Sequence, residues 1–221
     1  MHYKCCSTFD SAPHVGSIGA AVAALRGFFP NPLVPIVGGQ PNLGRYSLFG
    51  NLFAAAGDGT VHRIDRHPTM SRHPVTPMIE ADLRRHLAAQ GLGPIELVDY
   101  RAYDDASGAA LLPEHSCPVL FDVAREADLA AIGALIARSM AALPMLAVGP
   151  SSVARAFAEA ETANFSRAAD VLAASHGPRP KGPVLALVGS LSPVTRAQVE
   201  APHGYMRIAV DPVQLLSSET Y

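Results

Sequence analysis

The stretch PVLFDVAREADLAAIGALIARSMAALPMLAVGP, Pro118–Pro150, holds a complete strand–helix–strand pattern. Val119 to Val123 is a short β-branched and aromatic run. Leu129, Ile132, Ile136 and Met140 then recur along one helical stripe. Asp128 stands near the helix start, where a carboxylate meets the positive end of the helix dipole. Met145 to Val148 closes the pattern with a second unbroken apolar run. Strands that are apolar throughout, bounded by Gly or Pro, are those buried on both faces of a parallel sheet.

The same alternation extends outward. Leu33 to Val37, Ile95 to Val98 and Val184 to Val188 read as further buried strands. Gly16-Ser17-Ile18-Gly19 reads as a helix start. Ile79, Leu83 and Leu87 recur at i, i+4 and i+8, with Glu80, Asp82, Arg84 and Arg85 on the other faces, and Thr76-Pro77 supplies a cap and a first-turn proline. The predicted fold class is α/β: a mostly parallel sheet with helices on both faces.

The 221 residues are 49% hydrophobic and 16% charged, which excludes a disordered chain. Seventeen Lys+Arg against nineteen Asp+Glu, a net charge of −2 and no Trp leave neither a basic footprint nor a stacking platform, so nucleic acid is not an expected partner. Val15 to Leu25, an apolar, small-residue run after Lys4, could pass for a signal-peptide core, but Asp10 stands where such a segment needs positive charge and Gly16–Gly19 reads better as a helix start. No apolar run approaches the ~20 residues of a membrane helix. Cys5, Cys6 and Cys117 make a poor disulfide framework and suggest a reducing compartment, hence a cytoplasmic protein with no membrane association.

Ala, Ser, Arg and Asp dominate from Glu159 to Ser175, and His176-Gly-Pro-Arg-Pro-Lys-Gly-Pro183 follows. A polar helix running into a Gly/Pro-rich connection reads as an interdomain linker. The expected division is residues 1–160, a linker at 161–183, and 184–221. The last part offers one strand, one helix and a second strand at Met206 to Val210. That is too little for a core of its own, so it reads as the start of a second domain.

Four constellations carry the chemistry-bearing side chains. Cys5 to Ser11 runs into Gly16–Gly19, a polar loop feeding a helix start that suits an anion; Asp10 there could act as a general base or orient a hydroxyl, against the plain reading of a capped turn. Gly44-Arg45 and Gly50-Asn51-Leu52-Phe53 precede a basic run, His62 to His73, with Arg63, Arg66 and Arg72. Arginine's planar fork suits a carboxylate or phosphate, and the run, lacking a clean period, reads as a loop over the ligand crevice or as a solvated basic loop. A metal site on His62, Asp65, His67 and His73 is a weaker alternative, since the spacing is not that of a zincin helix. Gly149-Pro150-Ser151-Ser152 and Gly189-Ser190-Leu191-Ser192-Pro193 each lie between a strand and a helix, and tight turns with helix caps explain both by themselves.

Taken together, these segments resemble the four-carbon acid sugar kinase family, also called DUF1537, whose members include 3-oxo-tetronate and 3-oxo-isoapionate kinases. Tyr3-Lys4-Cys5-Cys6-Ser7-Thr8-Phe9-Asp10-Ser11 with Gly16–Gly19 is similar to the family's K-x-C/D-S-T stretch. Gly44-Arg45 with Gly50–Phe53 is similar to its G-R-x-x-x-x-G-x-L-F element, and His73–Met78 to its H/D-P-x-T-P-M segment. Gly149–Val153 departs from a G-S-S-G-V turn at Pro150, and Gly189–Thr195 from a G-S-C-S-x-x-T loop at Leu191.

The resemblance implies an ATP-dependent kinase acting on a hydroxyl of a small sugar acid, with Mg2+ to neutralise charge. It implies an N-terminal sugar-acid-binding domain lacking its first strand and A-D-D-x-T-G-A loop, and the truncated start of an α/β nucleotide-binding domain. Asp10 is then the catalytic candidate. Ser11, Arg45, Arg72 and His73 contact the substrate, Ser190 and Ser192 touch the nucleotide, and no metal ligand is named. The alternative is a truncated, non-catalytic protein that binds a small anion or a partner chain. Strand edges left open favour a homodimer or swapped assembly.

Overall fold

The computed structural model describes residues 2–5, 7–104, 117–140, 143–161, 182, 185–189, 193–201, 203–204 and 206–211. The chain divides into two compact units, residues 1–178 and 179–221, each described by itself.

In the first unit, β1 (His2–Cys5), β2 (Val34–Val37), β6 (Glu96–Val98), β7 (Pro118–Phe121) and β8 (Leu146–Gly149) form a sheet of order β1-β8-β2-β7-β6 in which every pairing is parallel. Period-two alternation sends the side chains of each strand to two different cores. Val34, Ile36, Leu120, Leu146 and Val148 join Ile18 and Val22 of α1 (Ile18–Arg26) with Leu83 and Leu87 of α2 (Leu83–Ala88). Val37, Val119, Phe121, Met145 and Ala147 join Leu129, Ile132, Leu135 and Ile136 of α3 (Asp128–Met140) with Val153 and Ala156 of α4 (Ser152–Glu161). Both faces are therefore covered, as the unbroken apolar strands predict.

Caps place the helices. Ser17 accepts from Ala20 N at the start of α1. Asp128, 1% exposed, accepts from the backbone of Ala124 and Arg125 and from Arg125 Nε. The α2 helix differs from its expected form. It begins after Asp82, whose carboxylate accepts from Arg84 N, and not after Thr76, whose N–H is held by His73 Nδ1. Upstream, Leu52 N bonds to Ala81 O and Leu83 N to Gly50 O, so the backbone at these positions runs beside a strand. Ile79 is thereby left outside the helix and 81% exposed.

Between β2 and β6 lies a small antiparallel sheet that the sequence pattern did not announce: β3 (Arg45–Leu48), β4 (Asn51–Ala55) and β5 (Val61–Arg63). The β3–β4 hairpin turns on Phe49 and Gly50, both at positive φ (51° and 80°), the twist that favours tight hairpins. The basic run expected as a loop from His62 starts as the end of β5 and continues through two short 3-10 turns, Ile64–Arg66 and Met70–Arg72.

In the second unit, α5 (Pro193–Glu200) follows the expected start at Pro193; Ser190 and Ser192 lie outside the described residues, as does most of the expected linker at 161–183. Of the expected strands Val184–Val188 and Met206–Val210, residues 185–188 and 206–210 are described and join no sheet among the described residues. Leu185, Leu187 and Met206 are each more than 80% exposed (83%, 89% and 85%). An apolar run forms a strand only where a neighbour accepts its ladder. Among the described residues, no helix is long and apolar enough to cross a membrane.

Gly133 decides how α3 meets α4: a Cβ there would lie 1.9 Å from the Ala156 carbonyl oxygen. Gly133→Ala should destabilise the protein by about 2 kcal/mol in urea titrations, because two backbones must separate. Gly27→Ala, where a Cβ meets open space at φ −64°, should change stability by less than about 1 kcal/mol, in the stabilising direction.

Candidate functional site

Because the sheet is parallel, the loops after β1, β2, β6, β7 and β8 all leave its carboxyl edge, where open α/β sheets hold their ligands. Two of these loops are tied together. Gln40 Nε2 donates to Ser151 Oγ at 2.7 Å, and Ser152 Oγ, 1% exposed, donates to Gly39 O at 2.6 Å. Gly149 must be glycine, since at φ +150° a Cβ would lie 2.8 Å from Val37 O on the adjoining strand. The Gly149–Ser152 turn thus serves as the seam between the ends of β8 and β2.

The loop after β1 carries Asp10 and Ser11. Thr8 Oγ1 donates to Asp10 Oδ1 at 2.8 Å, which orients a half-buried carboxylate. Ser11 is 2% exposed. Its hydroxyl donates to Phe9 O at 2.8 Å and accepts from Gln90 Nε2 at 2.8 Å, with His86 Nε2 3.0 Å away. The Ser11 side chain therefore faces the interior, where the sequence reading had it facing the substrate. Lys4 and Cys5 contribute backbone to β1, paired with Val148 and Gly149.

Arg45 comes from β3. Register sets Arg45 opposite Ala54, and Ala54 opposite His62, so the three share one face of the small sheet. Ala54 on that face is fully buried, which draws the Arg45 guanidinium half out of water. Its Nε is buried without a hydrogen-bond partner, and burial lowers its pKa. Among the described residues no carboxylate forms an ion pair with Arg45, whereas Arg63, Arg84, Arg85, Arg101, Arg125 and Arg155 each have one. Arg45 Nη1 donates to Leu43 O, so the unsatisfied donor of this partly desolvated guanidinium is Nε.

The other basic-run residues separate by role. Arg72 is exposed on its 3-10 turn. His73 Nδ1 accepts from Thr76 N at 3.0 Å and so shapes the His73–Met78 segment. His67 is 6% exposed; its Nδ1 accepts from Thr69 N and Met70 N, and its Nε2 donates to Ala55 O at 3.4 Å. Both nitrogens being used, and burial with the nearby Arg45 and His62 lowering its pKa, His67 is a neutral loop anchor. Asp65 is paired with Arg63. Among the described residues there is no cluster of three or more His, Cys, Asp or Glu side chains that could hold a metal ion.

Three groups escaped the sequence reading: His86, Gln90 and Asp122. His86 lies on the buried face of α2 and Gln90 just past its end, four residues on, a signal that charge patterning hid. Asp122, fully buried after β7, accepts from Gly50 N at 3.1 and 3.3 Å and so pins the β3–β4 turn to the main sheet. Ser47 adds to this junction, its hydroxyl accepting from Val123 N at 2.8 Å.

A parallel sheet covered by helices on both faces, with its loops gathered at the carboxyl edge, defines the class of the protein as an α/β domain. Residues 1–157 match the model of the family described as "Sugar-binding N-terminal domain". The chain is 42% identical to a 3-oxo-isoapionate kinase of Paraburkholderia graminis over 99% of its own length and 47% of that protein. It is 30% identical to a 3-oxo-tetronate kinase of Methylobacterium radiotolerans, over 98% of this chain and 50% of that protein. A Haemophilus influenzae crystal structure assigned to DUF1537 superposes with a TM-score of 0.58 and 26% identity, over 73% of this chain and 38% of that one. The chain belongs to the four-carbon acid sugar kinase family, through its sugar-binding N-terminal domain. It spans about half the length of the curated relatives it matches.

Burial pushes the Asp122 carboxyl up to about 6 against 3.8, because the backbone N–H bonds it receives do not offset its desolvation. The folded state then holds the proton more tightly than the unfolded chain, and this contribution to stability is lost as pH rises from about 4 through 6. Asp122→Asn should cancel that loss. Its stability relative to the unsubstituted protein should rise by about 3 kcal/mol between pH 4 and pH 7 in urea titrations; parallel pH profiles would refute the assignment.

Proposed function

We propose that this chain is the substrate-holding part of an ATP-dependent kinase that phosphorylates a hydroxyl of a small, four-carbon-type sugar acid in carbohydrate catabolism. The observation that carries the reading is Arg45: a half-buried guanidinium, Nε unpartnered, on a sheet face beside the carboxyl edge. A sugar acid supplies the missing carboxylate. The names of the relatives, kinases for 3-oxo-isoapionate and 3-oxo-tetronate, supply the reaction.

In this reading Arg45 fixes the acid end of the substrate and Arg72, being exposed, adds long-range attraction. His73 shapes the neighbouring segment. Asp10 would orient the reacting hydroxyl and take up its proton as the new P–O bond forms and the bond from that phosphorus to the departing ADP oxygen breaks. Ser11 contributes by holding Asp10's loop. ATP would supply the phosphoryl group and Mg2+ its charge neutralisation. The described residues do not themselves provide a metal cradle, and Ser190 and Ser192, the nucleotide candidates, lie outside them. Residues 184–221 would belong to the nucleotide-binding part, joined through the linker at 161–183. The cysteine usage supports a cytoplasmic location.

Calorimetric titration of the chain with threonate or erythronate, stable tetronates, tests the reading. Arg45→Gln should weaken binding by roughly 10- to 100-fold, the worth of a charge-assisted pair, with an unchanged unfolding transition. Equal affinity in the variant, or no binding by the unsubstituted chain, would overturn it.

A further inference from the structure

The turn that carries Asp10 is strained. Phe9 has φ +54°, a left-handed conformation uncommon for a bulky residue, and its side chain is fully buried. Such conformations persist only where the surroundings over-determine them, and they concentrate at functional sites.

The surroundings here are one buried polar network. The Phe9 carbonyl can only accept. It takes the Ser11 hydroxyl at 2.8 Å and lies 3.0 Å from His86 Nε2, which must therefore carry a proton. Gln90 completes the circuit. Its amide nitrogen donates to Ser11 Oγ, and its Oε1 accepts from Ile18 N, in the first turn of α1, at 2.8 Å. His86 and Gln90 are 8% and 7% exposed, so no solvent competes for these bonds. The packing is equally tight: a Cβ on Gly19 would lie 2.1 Å from Gln90 O. His86 of α2 and Gln90, just past its end, thus grip both ends of the loop, Phe9–Ser11 at its start and Ile18 at its finish.

We propose that His86, acting through the Phe9 carbonyl and Ser11, is a positioning residue that holds Asp10 in place against the strain of the preceding turn. The inference rests on the reading of Asp10 as the group that meets the substrate hydroxyl. His86 itself touches no substrate. Its imidazole adds a second donor to the Phe9 carbonyl beside the Ser11 hydroxyl, and Gln90 ties that geometry to the start of α1.

The test is amide hydrogen exchange on the full 221-residue chain, unsubstituted and as His86→Leu, His86→Gln and Ser11→Ala, with threonate titrations of each. Losing the buried bonds should speed exchange at residues 8–15 by about tenfold or more in His86→Leu and in Ser11→Ala, while α3 and β7 keep their protection. Threonate affinity should fall by about the same factor in both. His86→Gln, which restores an N–H donor near the Nε2 position, should recover both within about twofold. Unchanged exchange in the loop, or faster exchange spread evenly over α3 and β7, overturns the proposal. Should His86→Leu fail to fold, Ser11→Ala decides by itself. Loop loosening without any threonate binding by the unsubstituted chain would support the anchoring by His86 and sink the sugar-acid reading.

Discussion

A parallel sheet has no solvent face, and the arrangement of this protein follows from that demand. Strands β2, β7 and β8 send alternate side chains into two separate cores, so each must be apolar at every position, and helices must close both sides. Once the helices are in place, every loop after a strand emerges at the same edge. The loops that carry Asp10, Gln40 and Ser151 therefore all leave the sheet at one end. Gly133 and Gly149 mark where this closure is tightest, between two helices and between two strand ends.

The polar groups that the fold removes from water are each settled differently. Asp122 is anchored by backbone donors of the hairpin turn, and Asp128 by a capping set with an arginine. His67 and His86 remain neutral, their pKa values lowered chiefly by burial. Arg45 differs in kind: it is partly desolvated, its Nε is unsatisfied, and its register partners bring it no acid. That imbalance, a buried donor left without an acceptor, is what the proposed acid site rests on.

The family's motif residues divide accordingly. Asp10 and Arg45 keep their charged side chains half-exposed. Ser11, His73 and the Gly149–Ser152 turn are used by the protein on itself: a buried network, a nitrogen holding the next segment, and a seam between strand ends. A motif therefore records the whole apparatus of a site, its supports as well as its contacts.

The parallel sheet, its two-sided burial and helices α1 and α3 with their caps were legible in the amino-acid order, because strand and helix periodicities are local and Ser17 and Asp128 act within one turn. The antiparallel β3–β4–β5 sheet was not, since its strands are short and its hairpin rests on Phe49-Gly50, a pair without the usual turn chemistry, fastened by Asp122 from 72 residues away. The start of α2 was hidden for the same reason: Ala81 bonds to Leu52, and no pattern within residues 76–82 reports it. The grip of His86 and Gln90 on the Asp10 loop joins side chains 75 and 79 residues apart. The linear order determined which segments could be buried and where helices could begin. Only the assembled protein decided which polar groups would face each other, because the cost of an unpaired buried group is incurred only after distant segments have met.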